Sequence, residues 1–248
     1  MKHSLNHLLH SVEQILVPDK PTVYLYGSCV LDDFHPGWSD IDLLILTPRA
    51  LTQEQAERLV PLRQKLLAAE PDNPYDRALE GAVISVDAFR WGRHDEMAAY
   101  WGTSGERVRQ GYSLDCFSML LLLQKGELIC GEDVRPLLRR PTLAELRHAI
   151  AGHLMTIRQH GKGEPSLYAY GWLLDTARCL YTLRTGEIIA KTDAGEWALR
   201  EGLCPDEEAM RRAVAARKNP AQADLDYACT LTEAIRRFAE VLEKELFA

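Results

Sequence analysis

The chain has 248 residues, 46% apolar and 26% charged, which is ample for a buried core and excludes a fibrous or disordered protein. Basic residues number 29 and acidic ones 36, so the formal charge is −7. That balance argues against sequence-independent nucleic-acid binding, which needs a surplus of Lys and Arg on phosphates, and it suits a cationic substrate.

Leu5, Leu8, Leu9, Val12, Ile15 and Leu16 recur at helical spacing, predicting an amphipathic helix that ends near Pro18. Thr22–Tyr26 follows as a short β-branched and aromatic strand running into Gly27. Ile41–Leu46 is a second strand, whose unbroken apolar character predicts burial on both faces. Thr52, with Gln55 three residues on, marks the start of a helix carrying Ala56, Leu59, Val60 and Leu66. A Pro- and Asn-rich connector, Pro71–Pro74, leads to a third strand around Leu79–Val86. After Trp91 the pattern reads as helical throughout, with one helix at Asp115–Gln124 stopped by Gly126. Thr142 with Glu145 forms another capping box, and a domain boundary is placed just before it. About four helices are expected beyond, including Leu167–Thr185 and a final Asp224–Glu245. The expected architecture is α+β: a mixed α/β domain over residues 1–140 and an all-helical domain over 141–248.

Apolar runs such as Met119–Leu123 fall far short of the roughly 20 residues of a membrane span, and Met1–Leu9 lacks a signal-peptide apolar region. The six cysteines include no CxxC pair and read as buried thiols of a reducing cytosol. A soluble cytoplasmic protein is expected.

The chemistry concentrates in Tyr24-Leu25-Tyr26-Gly27-Ser28, then eleven residues, then Asp40-Ile41-Asp42-Leu43-Leu44. Gly27 ends a strand where the backbone must turn tightly and approach a ligand. Ser28 offers an N–H and a hydroxyl at a helix start, a ready anion site. Asp40 and Asp42 are two apart on a strand, so their carboxylates face the same way. Paired carboxylates beside a phosphate-binding turn make a magnesium site, because Mg2+ favours one or two carboxylates plus substrate phosphates.

This GS…SDIDLL pattern resembles the polymerase-β-like nucleotidyltransferase superfamily, in the form carried by its antibiotic-modifying members. Arg77-Ala78-Leu79-Glu80 is similar to the segment that supplies a third carboxylate in aminoglycoside adenylyltransferases. Leu180–Lys191, with Ala194 and Trp197-Ala198-Leu199, is similar to the helical domain of the streptomycin/spectinomycin adenylyltransferases. The resemblance implies an N-terminal nucleotidyltransferase domain, with a C-terminal helical domain closing over the substrate cleft. It implies that Gly27 and Ser28 hold the triphosphate of ATP with Ser39 close by, and that Asp40 and Asp42 coordinate Mg2+. Glu80 would sit beside the metal as general base, and Lys191 would reach the triphosphate. The implied acceptor is a cationic small molecule such as an aminoglycoside, with no nucleic-acid or membrane partner. Trp101, Glu164 and Tyr168 are the candidates for gripping it. Asp175, an acid among leucines, either pairs with Arg178 or faces the cleft. Two rival readings are a toxin–antitoxin nucleotidyltransferase that adenylylates a protein and a catalytically silent nucleotide-binding module.

Overall fold

The computed structural model describes residues 1–102 and 104–248, which divide into two compact units, Met1–Arg140 and Pro141–Ala248. The first opens with helix α1 (Lys2–Leu16), strand β1 (Thr22–Tyr26), a 3-10 turn over Gly27–Val30 and strand β2 (Ile41–Thr47). Helices α2 (Gln53–Leu59), α3 (Leu62–Ala69) and α4 (Pro74–Ala78) lead into β3 (Leu79–Ser85) and α5 (Val86–Trp91). Strands β4 (Met97–Trp101) and β5 (Arg107–Gln110), helix α6 (Cys116–Lys125) and strand β6 (Glu127–Cys130) complete it.

The six strands form one sheet in the order β5-β4-β3-β2-β1-β6, with β2 and β3 parallel and the other neighbours antiparallel. Because side chains alternate across a strand, each face gathers its own core. One face carries Val23, Leu25, Ile41, Leu43, Ile45, Leu79, Val83 and Trp101, packed against Leu8 and Val12 of α1 and Leu59 of α2. The other carries Tyr24, Tyr26, Leu44, Leu46, Ile84 and Ala98, packed against Phe89 of α5 and Leu122 of α6. Burial on both faces is why β2 reads as a continuous apolar run.

Three sequence expectations are corrected. The helical reading after Trp91 fails, because β4, β5 and β6 all lie there. Met97-Ala98-Ala99-Tyr100-Trp101 has no polar residue to show a period, and β5 and β6 are only four residues each, so pairing partners decide their state. The helix begun by the Thr52–Gln55 capping box stops at Leu59, and α3 restarts after Pro61, which has no N–H to continue the ladder. The expected last helix is broken into α11 (Leu225–Ala228) and α12 (Thr232–Leu246), where the Thr230 hydroxyl donates to the carbonyl of Tyr227.

Pro141–Ala248 is helical throughout: α7 (Leu143–His160), α8 (Leu167–Thr185), α9 (Lys191–Arg200) and α10 (Glu207–Lys218) precede α11 and α12. Thr142 and Glu145 form both halves of the capping box that starts α7. The apolar face of α12, with Ile235, Phe238 and Leu242, packs with α7 and α8. Among the described residues no helix is long and apolar enough to cross a membrane. Cys179 and Cys204 are buried, whereas Cys229 is exposed just past α11, against the expectation of a buried thiol.

Candidate active site

The acids meet at the ends of the paired strands. In register, Tyr26 lies opposite Asp42, and Asp42 lies beside Glu80 on the parallel β3. These three side chains share the face occupied by Tyr24, Leu44 and Ile84, at its rim, where Asp42 and Glu80 are half-buried. Glu80 thus comes next to Asp42 because two parallel strands start together.

Gly27 turns the chain directly beneath Asp42. It has φ +74°, and a Cβ there would lie 1.8 Å from Asp42 Oδ2, so both the conformation and the space demand glycine. The following turn is tied down from within: the carbonyl of Ser28 accepts from the N–H groups of Leu31 and Asp33, and the Ser28 hydroxyl lies 3.5 Å from the carbonyl of Asp40. Ser39 is buried, and its hydroxyl accepts from the His35 N–H at 3.0 Å and lies 3.5 Å from the carbonyl of Asp33. The structure therefore places the Ser39 hydroxyl in the loop that presents Asp40. Gly27→Ala is expected to cost at least about 1 kcal/mol of stability from the left-handed backbone alone and to weaken MgATP binding, because Asp42 must move. Thermal unfolding and calorimetric titration would check this; wild-type affinity would show that the turn is not the phosphate site.

Electrostatically the rim is negative. Burial first, then Asp42 and Asp40, push the Cys29 thiol up to about 12. Burial, together with the charges of Asp42 and Glu80, pushes the Tyr112 hydroxyl up to about 12, although its hydrogen bond with Tyr26 works the other way. Tyr26 is raised as well, chiefly by burial, with Tyr112, Asp42 and Glu80 adding to it. Beyond burial, the carboxylates of Asp40, Asp42 and Glu80 add to these shifts and make the rim negative. Among the described residues no three His, Cys, Asp or Glu side chains form a ready metal cage. Mg2+ does not need one when substrate phosphates supply the remaining ligands, so Asp40 and Asp42, with Glu80 alongside, fit it as donors.

A neighbour of Glu80, Tyr100, was not anticipated. The Tyr100 hydroxyl donates to Glu80 Oε1 at 2.9 Å, and Ser104 Oγ lies 3.3 Å from the same hydroxyl. Arg107 lies over the Tyr100 ring at 4.8 Å. Nothing in the sequence spacing signals these contacts, since β3–β4 pairing brings them together across twenty residues.

Trp101 requires a correction. Its Cα partner is Gly81, one residue beyond Glu80, so alternation sends the indole to the opposite face of the sheet. There it is 1% exposed, packs among Ile41, Leu43 and Leu79, and donates through Nε1 to the carbonyl of Leu59. It is a core residue and offers no surface to an acceptor.

In the helical unit, Asp175 pairs with Arg178 at 3.1 Å and with Lys191 at 3.0 Å. Burial works to raise the Asp175 carboxyl, but the two cations outweigh it and hold it below the usual range. Both carboxylate oxygens are engaged, so Asp175 does pair with Arg178, and with Lys191 as well. Glu164 pairs with Lys162 at 3.7 Å, and Tyr168 is exposed at the start of α8.

Known proteins are similar to this chain over both parts. The family described as nucleotidyltransferase domain matches residues 7–73, and the family described as aminoglycoside adenylyltransferase, C-terminal domain, matches residues 137–245. The chain is 26% identical over 186 residues to spectinomycin 9-adenylyltransferase of Staphylococcus aureus strains Mu50 and N315, covering 71% of this chain and 70% of those proteins. It also shares its fold with the crystal structure of spectinomycin adenyltransferase AAD(9) from Enterococcus faecialis with ATP and spectinomycin. That match has a TM-score of 0.71 at 16% identity and covers 98% of this chain and 99% of the other.

Proposed function

We propose that the chain, whose parts match a nucleotidyltransferase domain and the C-terminal domain of aminoglycoside adenylyltransferases, transfers AMP from ATP to a hydroxyl of an aminoglycoside-like small molecule such as spectinomycin. The observation that carries the reading is the side-by-side placement of Asp42 and Glu80 above the Gly27 turn. Gly27 and Ser28 receive the triphosphate, with Ser39 shaping the adjoining loop. Asp40 and Asp42 hold Mg2+, which when bound neutralises phosphate charge and polarises the α-phosphoryl group. Glu80 accepts the proton of the acceptor hydroxyl as its oxygen bonds to the α-phosphorus. The bond from that phosphorus to the bridging oxygen breaks, and pyrophosphate leaves with the electron pair. Family resemblance alone assigns Lys191 to the nucleotide, and Glu164, Tyr168 and Asp175 to the acceptor. A net acidic chain favours approach of a cationic acceptor.

The test is incubation with ATP labelled in the adenine moiety, Mg2+, and a panel of spectinomycin, streptomycin and lincosamides, following both pyrophosphate and label. Labelled antibiotic is the expected result. Label on protein would favour the protein-modifying reading instead, and turnover of none would favour a nucleotide-binding module. A helical unit of about a hundred residues, matched to a drug-modifying family, supports the small-molecule acceptor.

A further inference from the structure

We propose that Tyr100 is the positioning residue for Glu80, fixing which carboxylate oxygen faces the acceptor hydroxyl; this rests on Glu80 being the general base of the proposed transfer. The Tyr100 hydroxyl donates to Glu80 Oε1 at 2.9 Å, and among the described residues no donor is bonded to the second oxygen. A carboxylate on a three-bond side chain at a strand end has several rotamers, and one short hydrogen bond from a rigid partner selects among them. Tyr100 is such a partner: it is 8% exposed, Arg107 covers its ring, and Ser104 Oγ lies 3.3 Å from its hydroxyl.

The backbone makes room for this contact and for little else. Gly102 follows β4 where the chain passes Glu80. A Cβ there would come within 2.2 Å of the Tyr100 hydroxyl oxygen and 3.0 Å of the Glu80 carboxyl carbon. A side chain at this position would wedge between the phenol and the carboxylate, and glycine has none. With Oε1 occupied, the second oxygen is the one left to take the proton, and its direction is set before substrate arrives. Preorganisation of this kind acts on the chemical step, because the base must lie within hydrogen-bond reach of the proton it removes.

The test is Tyr100→Phe, which removes only the hydroxyl, made in the wild type and in Glu80→Gln. With ATP, Mg2+ and spectinomycin, kcat is expected to fall roughly 10- to 100-fold, while KM for ATP stays within about twofold and the thermal midpoint is nearly unchanged. In the Glu80→Gln background the same change should have little further effect. A crystal structure of Tyr100→Phe, which needs no acceptor, should show the Glu80 carboxylate turned from its wild-type position or spread over rotamers. Unchanged kcat in Tyr100→Phe while Glu80→Gln is inactive would overturn the positioning role and leave the functional reading intact. An equal loss in both backgrounds, or an unmoved Glu80 in the crystal, would also overturn it. Full activity in Glu80→Gln would instead remove the functional reading on which it rests.

Discussion

Glu80→Gln is expected to lower turnover by roughly 10²–10⁴-fold, the usual contribution of a positioned general base. The amide keeps the size of the side chain, and its carbonyl oxygen can still accept from the Tyr100 hydroxyl, so the local packing survives. What it cannot do is take a proton from the attacking hydroxyl. Affinity for MgATP, measured calorimetrically, should fall far less than turnover, since the Gly27 turn and the carboxylates of Asp40 and Asp42 remain. A solvated rim acid would behave differently: exchange for its amide would leave turnover within a few-fold. Activity near the wild-type level in Glu80→Gln would therefore remove it from the chemistry, and Asp87 at the start of α5 would be the next acid to test.

Asp42→Asn should be at least as damaging. If Asp42 holds Mg2+, its loss forfeits several kcal/mol of charge stabilisation, about 10³-fold in rate. The same change should leave the fold intact or slightly steadier. Asp42 is the direct strand neighbour of Glu80, and like charges placed side by side are destabilising. Falling activity with level or rising stability is an uncommon pairing, because most substitutions at half-buried positions destabilise. Steady-state rates across a Mg2+ titration, with urea unfolding in parallel, would read both. Retention of more than about a tenth of wild-type turnover would place the metal elsewhere, since several kcal/mol cannot vanish at so small a kinetic cost. Asp40→Asn, in the loop just before β2, should likewise lower turnover.

Short-range chemistry was legible in the amino-acid order. The Gly-Ser turn, the two strands around it and both Thr-led capping boxes depend on residues within a few positions of each other, and all are present. The Asp-x-Asp spacing predicts a common face, but β2 begins at Ile41, so strand alternation fixes the side of Asp42 and leaves Asp40 in the preceding loop. Proximity of Glu80 to these acids came from family resemblance, because no local rule links residues thirty-eight positions apart.

Tertiary structure alone decided the rest, and the reason is pairing. Strands β4, β5 and β6 carry too few residues, or too little alternation, to announce themselves. Their state follows from the partners that satisfy their backbone groups. Register then settled side-chain roles that composition leaves open. Tyr100 and Trp101 are adjacent aromatics in one apolar run, yet alternation sends Trp101 into the core and Tyr100 to Glu80. A one-residue slip would exchange them. The amino-acid order thus determined the turn and the two acids, written within sixteen residues, Gly27 to Asp42. Which aromatic meets Glu80 was decided by the pairing of β3 with β4, a contact whose register the local sequence does not encode.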